Sequence, residues 1–137
     1  MNNKEKGYLG EELAAEYLRS LGSEIIEQNY TVRGGEIDII AIDDGTLVIV
    51  EVKSRTACVD GERPSEALDE RKIRFLVRSA DRYVFEKRDL CSDMPLRFDC
   101  VEVIFNGDGN GKPQIIHSKD FDAWIEIKPG DPYEYYF

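Results

Sequence analysis

Asp38, Glu51 and Lys53 are the residues of this sequence whose types and spacing could do chemistry. Each lies within an otherwise apolar run, and Asp43-Asp44-Gly45 separates Asp38 from the other two. An Asp-Gly pair between two apolar runs is a strong signal for a β-hairpin. With Asp44-Gly45 as its loop, the hairpin places Asp38 directly opposite Glu51, and Lys53 follows two residues later on the same face.

Two carboxylates opposite each other destabilise a sheet, and half-buried carboxylates are costly without a partner. Lys53 offsets part of this cost, and a divalent cation would offset more of it. Mg²⁺ takes one or two carboxylates together with waters and phosphate oxygens. The pattern therefore predicts a hard-metal site with a lysine beside it. The alternative is a salt-bridged patch of Glu36, Asp38, Glu51 and Lys53 on an exposed strand end.

Glu11 is a further carboxylate that the first predicted helix could bring to this site. It lies three and seven residues before Ala14 and Leu18, which places it beside the apolar stripe of that helix. Glu12, by contrast, aligns with the polar face. Glu11 could thus reach the metal or its waters, or it could be an N-terminal glutamate favoured by the helix dipole.

Apolar residues on both faces of the hairpin predict a sheet packed between helices. One predicted face carries Ile40, Ile42, Leu47 and Ile49 together with the charged residues. The other face is apolar throughout: Ile37, Ile39, Ala41, Val48, Val50 and Val52.

Periodicity and turn residues predict the remaining elements. A first helix over 6–21 has an apolar face of Leu9, Leu13, Ala14, Tyr17, Leu18 and Leu21. The further expectations are an edge strand over 24–32, a turn over 33–35, a loop over 54–64, a second helix over 65–87 capped by Ser65, and strands over 96–105 and 114–117. This order is typical of an α/β protein with one domain over 1–118, followed by an acidic, aromatic tail over 119–137 that packs on it or frays.

The charge is strongly acidic overall but basic along the second helix. The net charge is −10 and the pI is about 4.6, which counts against nonspecific binding to nucleic acid or to an anionic membrane. Residues 71–88, however, carry seven basic and two acidic side chains. The arginine stripe of this helix could hold a phosphate backbone, or it could be an ordinary solvated face: Arg71, Arg74, Arg78 and Arg82.

Composition excludes several classes of protein and site. The chain of 137 residues is 42% hydrophobic and 34% charged, which is ordinary for a globular domain. No apolar run approaches a membrane span, and the first residues lack the apolar core of a signal peptide. Cys58, Cys91 and Cys100 are predicted to be free thiols of a cytoplasmic protein. His117 is the single histidine, which disfavours a histidine metal site.

Three motifs in order resemble those of the YraN-like bacterial proteins, an uncharacterised family. They are Gly7–Ala14, Gly34–Ala41 and Leu47–Arg55, and Arg97-Phe98-Asp99 also fits. The resemblance spans most of residues 7–105. That family is similar to the restriction-endonuclease-like superfamily with an Asp…Glu-x-Lys motif, close to archaeal Holliday junction resolvases.

The predicted elements follow the order α-β-β-β-α-β, and the resemblance implies a mixed central sheet flanked by helices. It also implies that Asp38 and Glu51 bind Mg²⁺ or Mn²⁺, that Glu11 completes the site, and that Lys53 contacts the scissile phosphate or the attacking water. Lys72 matches the basic residue of the second helix. The residues expected to bind nucleic acid are Arg55, Arg71, Lys72, Arg74, Arg78 and Arg82.

Together these features predict a metal-dependent nuclease that hydrolyses the phosphodiester backbone of DNA, branched or single-stranded, in repair or recombination. The alternative is a non-catalytic module that keeps the nuclease fold to bind nucleic acid or protein. A third interpretation treats the acidic surface and the aromatic tail as a protein interface, such as that of a homodimer: Tyr133, Tyr135, Tyr136 and Phe137.

Overall fold

A computed structural model of the protein describes residues 1–57, 69–108 and 110–121. Within these ranges the chain forms three helices and five strands. They are α1 (Asn3–Ser20), β1 (Glu24–Val32), β2 (Gly35–Asp43), β3 (Thr46–Thr56), α2 (Glu70–Glu86), α3 (Arg88–Cys91), β4 (Leu96–Phe105) and β5 (Gln114–Ser118).

The five strands form one mixed sheet in the order β1-β2-β3-β4-β5. Neighbouring strands are antiparallel except β3 and β4, which are parallel and are joined through α2. The α/β class and the order α-β-β-β-α-β are therefore confirmed; β5 corresponds to the strand predicted over 114–117, and α3 is an addition. None of the helices in the described ranges is long and apolar enough to cross a membrane.

Helices cover both faces of the sheet, as the hairpin pattern predicted. α1 contributes Ala14, Ala15 and Leu18 to a buried cluster on one face. Its sheet partners are Ile39, Ala41, Val48, Val50, Val101 and Val103. α2 packs on the other face through Ile73, Leu76 and Ala80, among others. Its sheet partners are Ile37, Ile40, Leu47, Ile49 and Phe98.

The β2–β3 register agrees with the prediction up to Ile39 and then changes. The ladder pairs run from Asp43–Thr46 to Ile39–Val50. Beyond them, the Asp38 carboxylate accepts a hydrogen bond of 2.8 Å from the backbone N–H of Val52. Because a side chain now satisfies this donor, strand alternation is interrupted at Asp38. The ladder thus ends one pair before Asp38 and Glu51. The prediction that Ile37 shares a face with Ile39 is wrong, because Ile37 packs toward α2 and Ile39 toward α1.

Helix ends differ from the periodicity because capping side chains decide them. Asn2 caps α1 by accepting from the Glu5 N–H at 2.8 Å, so the helix begins at Asn3, three residues before the predicted start. Asp69 caps α2 by accepting from the Lys72 N–H at 2.8 Å. The predicted cap Ser65 lies outside the described residues.

Some positions assigned to the core, and some loop boundaries, were also wrong. Leu9 is 42% exposed and Leu21 is 57% exposed, so both lie outside the buried face of α1. β3 continues to Thr56 through the start of the predicted loop, because β4 pairs with it up to Phe105. Cys91 and Cys100 are free and buried, while Cys58 and the tail beyond residue 121 lie outside the described residues.

Candidate metal site and its basic surroundings

Asp38 and Glu51 lie where β2 and β3 leave their shared ladder. On β3, Val50 packs toward α1 and Ile49 toward α2, so alternation turns Glu51 toward α2. Glu51 is only 8% exposed, and its Oε1 forms an ion pair of 3.3 Å with Lys72 Nζ of that helix. Its second oxygen, Oε2, is buried without a hydrogen-bond partner among the described residues.

Burial and like charge make the ionised pair unfavourable. Burial, and then the charge of Asp38, raise the pKa of Glu51 to about 7, although Lys72 and Lys53 oppose the shift. Burial, and to a smaller extent the charge of Glu36, also raise the pKa of Asp38, while hydrogen bonds with the Val52 N–H and the Glu51 side chain and the charge of Lys72 lower it. The two carboxyl groups are therefore electrostatically linked, even though the ladder does not pair them.

Glu11 is close enough to respond to this pair. Burial, and then the charge of Asp38, raise its pKa, while a hydrogen bond from Asn29 lowers it. The carboxylate thus lies on the sheet side of α1. α1 can approach β3 closely because Gly10, the residue before Glu11, has no side chain. A Cβ at Gly10 would lie 1.8 Å from the Ser54 hydroxyl oxygen on β3.

Two lysines approach Glu51 from different elements. Lys53 follows it by two residues on β3, and its charge lowers the pKa of Glu51. Lys72 comes from the first turn of α2 and also lies 5.2 Å from the ring centre of Phe75. Phe75 in turn packs against the Gly34-Gly35 turn, where a Cβ on Gly35 would lie 3.1 Å from the ring. The glycine turn therefore lets α2 bring Lys72 to the carboxylates.

The predicted basic stripe divides into residues with different partners. Arg74 pairs with Glu70, and Arg82 pairs with Glu86 at 2.9 Å. Arg78 lies over the Phe75 ring at 5.9 Å. Arg71 is exposed on the first turn of α2, and Arg55 is partly exposed two residues beyond Lys53.

A groove of about 610 Å³ runs between β1 and α2. Its basic lining consists of Arg78 and Arg82 together with Arg33, which the periodicity of α2 could not reveal because it lies in the turn after β1. Among the residues that line it are also Tyr30, Gly34 and Glu86.

The donors at the site fit a hard divalent cation that keeps part of its water shell. Within the described ranges, no three His, Cys, Asp or Glu side chains group closely enough to hold a metal ion alone. Asp38 and Glu51 offer carboxylate oxygens, one of them buried and without a partner. Mg²⁺ and Mn²⁺ suit oxygen ligands, and Mg²⁺ binds through one or two carboxylates with waters and phosphate oxygens.

Glu102 is a buried carboxylate of this region that the sequence reasoning missed. It is 6% exposed in the middle of β4 and pairs with Lys53 in the parallel ladder. The signal was present, because a glutamate in the run Cys-Val-Glu-Val-Ile-Phe alternates onto the same face as Cys100. This signal did not identify Glu102 as a site residue, because only the pairing of β3 with β4 places Glu102 beside Lys53.

A second polar cluster lies on the α1 face around Asp99, which is fully buried. Asp99 accepts hydrogen bonds from Arg97, from His117 Nε2 at 2.8 Å and from the Asp120 N–H at 2.9 Å. Tyr17 lies 3.0 Å from the other ring nitrogen of His117. The cluster borders a cavity of about 280 Å³ and has its own internal partners.

Comparison with known proteins places the chain in a family. A sequence profile of the uncharacterised protein family UPF0102 matches residues 10–103. The chain belongs to the UPF0102 family. The family resemblance predicted from the sequence motifs is therefore confirmed, and the matched range includes Glu11, Asp38, Glu51, Lys53 and Lys72.

Curated UPF0102 proteins match most of this chain. The UPF0102 protein of Persephonella marina is 45% identical over 101 residues, covering 74% of this chain and 84% of its own length. The one from Clostridioides difficile is 42% identical over 103 residues, covering 75% and 88%. The one from Flavobacterium johnsoniae is 36% identical over 107 residues, covering 77% and 86%.

Among solved structures, this UPF0102 chain is similar to Pyrococcus furiosus SfsA in complex with Ca²⁺. The identity is 14% and the TM-score is 0.37. The match covers 86% of this chain and 64% of that one.

Proposed function

We propose that this UPF0102 chain is a Mg²⁺- or Mn²⁺-dependent nuclease that hydrolyses the phosphodiester backbone of DNA. The observation that carries the proposal is the pair of linked, buried carboxylates, Asp38 and Glu51, with lysines on two sides. Burial raises the pKa of both carboxyl groups, and the charge of Asp38 adds to the rise at Glu51; raised pKa values of this kind are typical of functional sites. The partnerless Glu51 Oε2 supports a cation as the missing partner.

In this proposal the two lysines and the carboxylates have different roles in binding the cation and the phosphate. Lys72 holds one oxygen of Glu51, which leaves the other for a cation. Lys53, whose charge acts on Glu51 from two residues along β3, would hold a phosphate oxygen or orient the attacking water. A divalent cation, held by Asp38 and Glu51 and approached by Glu11, would neutralise phosphate charge and lower the pKa of a water.

The groove between β1 and α2 supports DNA as the substrate. Arg33, Arg78 and Arg82 line it. Gly34, which also lines it, belongs to the turn against which Phe75 packs. Arginines suit phosphate oxygens because the guanidinium is planar and permanently charged. The lining favours backbone contacts over base readout, so we expect a preference for DNA structure, branched or single-stranded, over sequence.

The first test is cleavage of branched and single-stranded DNA in Mn²⁺ or Mg²⁺ by the wild type and by Asp38→Asn, Glu51→Gln and Lys53→Ala. We expect roughly 100-fold or greater loss in each variant, the size of typical acid-base and metal-ligand contributions. Asp44→Asn is the matched control, because Asp44 is an exposed carboxylate of the same hairpin. Retention of full cleavage by folded Asp38→Asn and Glu51→Gln would contradict the proposal.

A non-catalytic DNA-binding module is the second candidate, and the arginine-lined groove favours it independently of the carboxylates. Such a module binds DNA equally well in EDTA, and Arg78→Ala weakens the binding. A wild type that binds DNA tightly without metal and never cleaves it, in either metal and on either DNA form, would favour the module over the nuclease.

A further inference from the structure

Glu102 and Glu51 share an unusual condition in the described part of the chain. Both are more than nine-tenths buried, and the Oε2 atom of each is enclosed without a hydrogen-bond partner. Buried carboxylate oxygens are normally paired, because removing a charge from water is costly. Lys72 contacts Glu51 at the other oxygen, Oε1. Neither Oε2 atom therefore has a hydrogen-bond partner among the described residues.

The sheet register brings these two carboxylates together. In the parallel ladder Glu51 pairs with Cys100, and Lys53 pairs with Glu102. Glu51 and Glu102 are therefore diagonal neighbours on adjacent strands and on the same face, a separation that long side chains can bridge.

We propose that Glu51 and Glu102 hold a second divalent cation, beside the one assigned to Asp38 and Glu51. Glu51 then bridges two cations, one toward β2 and one toward β4, and waters fill the remaining positions. Each cation has two protein carboxylates, a number that Mg²⁺ accepts when waters complete its coordination. The proposal rests on the proposed function for its first cation, but Glu102 itself lies outside that assignment.

The test counts Mn²⁺ ions bound to the full chain by electron paramagnetic resonance of free Mn²⁺ and by calorimetry. We expect two ions in the wild type, one in Glu102→Gln, one in Asp38→Asn, and at most weak binding in Glu51→Gln. Glu24→Gln is the control, because it makes the same change at an exposed position on β1.

A second readout follows the melting temperature with and without Mn²⁺. Glu102→Gln removes a buried charge, so the metal-free variant should melt no lower than the wild type, while its gain in melting temperature on adding Mn²⁺ should shrink. If Glu102→Gln fails to fold, Glu102→Asp is the second variant, because its shorter side chain keeps the charge but moves the carboxylate oxygens away from the proposed cation. It should weaken one Mn²⁺ site by 10-fold or more, as lost metal contacts do.

The outcomes separate this inference from the proposed function. One ion in the wild type, lost in Asp38→Asn and kept in Glu102→Gln, overturns the second site and leaves the nuclease proposal standing. Two ions of unchanged affinity in Glu102→Gln also overturn it. A wild type that binds no Mn²⁺ overturns both.

Discussion

Asp99 and Glu51 are buried carboxylates on adjacent strands, but their surroundings differ. Asp99 accepts hydrogen bonds from Arg97, His117 and a backbone N–H. Burial alone would raise its pKa, yet these donors bring the pKa below its usual value. Glu51 has a partner for one oxygen only, and its pKa rises to about 7. The contrast marks Asp99 as a structural residue and Glu51 as a candidate ligand.

Asp99→Asn should therefore destabilise the fold at neutral pH by about 3 kcal/mol, because it removes the fully buried carboxylate from Arg97 and leaves the partly exposed Asp43 as its charged partner. A lowered pKa means that ionised Asp99 stabilises the fold above its unfolded value of 3.8, and that this stability is lost as the pH falls through the lower folded pKa. Urea unfolding at pH 7 and pH 2.5 measures both effects, and the difference between wild type and variant should shrink at pH 2.5.

Asp93→Asn is the control for that measurement, since Asp93 is exposed. It should change the free energy of unfolding by less than about 0.5 kcal/mol. If the gap between wild type and Asp99→Asn were equal at the two pH values, the stabilising role of the ionised carboxylate would be excluded.

At the scale of elements, the site depends on how closely α1 and α2 approach the sheet. α1 approaches β3 at Gly10, next to Glu11, and α2 approaches the turn after β1 at Gly34-Gly35 through Phe75. These glycines lie in two of the motifs that carry the family resemblance. Their lack of a side chain, rather than any chemistry, is what brings Glu11 and Lys72 within range of the carboxylates.

Gly10→Ala should destabilise the protein by about 1–3 kcal/mol, the usual effect of overpacking, because its Cβ would collide with Ser54. Adding Ser54→Ala should recover only part of this loss, since the Cβ of residue 54 would still lie at 3.0 Å. The free energy of unfolding of the single and double variants measures both effects.

Gly7→Ala is the matched control in the same helix, because a Cβ there has open space around it. It should stabilise the protein by about 0.5–1 kcal/mol, as alanine restricts the unfolded chain. An equal effect of the two substitutions would show that helix propensity, and not the contact with β3, determines the result at Gly10.

At the scale of the whole molecule, a net charge of −10 opposes the approach of DNA, while residues 71–88 carry seven basic groups. Folding places part of this basic segment along one groove with Arg33, so attraction is local. We expect association to be weak and steeply dependent on salt, because phosphate contacts release counterions.

Replacing both Arg33 and Arg78 by alanine should lower DNA affinity and reduce the slope of log affinity against log salt by roughly 1.5. Fluorescence anisotropy with labelled single-stranded DNA, measured in EDTA across a salt series, gives this slope without cleavage. Arg19→Ala removes an exposed basic group from the end of α1 and should leave the slope unchanged. Equal slopes for the wild type and the double variant would exclude the groove as the DNA path.

The sequence by itself determined every described element except α3, and the residues that bear charge among them. The Asp-Gly turn predicted the hairpin and its register from Ile39 to Asp43, and apolar residues on both faces predicted a sheet between helices. These features are local, because turn geometry and strand periodicity depend on residues close in the chain. For the same reason Asp38, Glu51, Lys53 and Glu11 could be named as site candidates.

Only the tertiary structure decided how those residues meet. The carboxylate of Asp38 takes the Val52 N–H and so ends the simple alternation, which strand periodicity does not anticipate. The pairing of β3 with β4 brings Glu102 beside Lys53, and the packing of Phe75 on a glycine turn brings Lys72 to Glu51. Such contacts join residues far apart in the chain, so their geometry depends on the packing of whole elements.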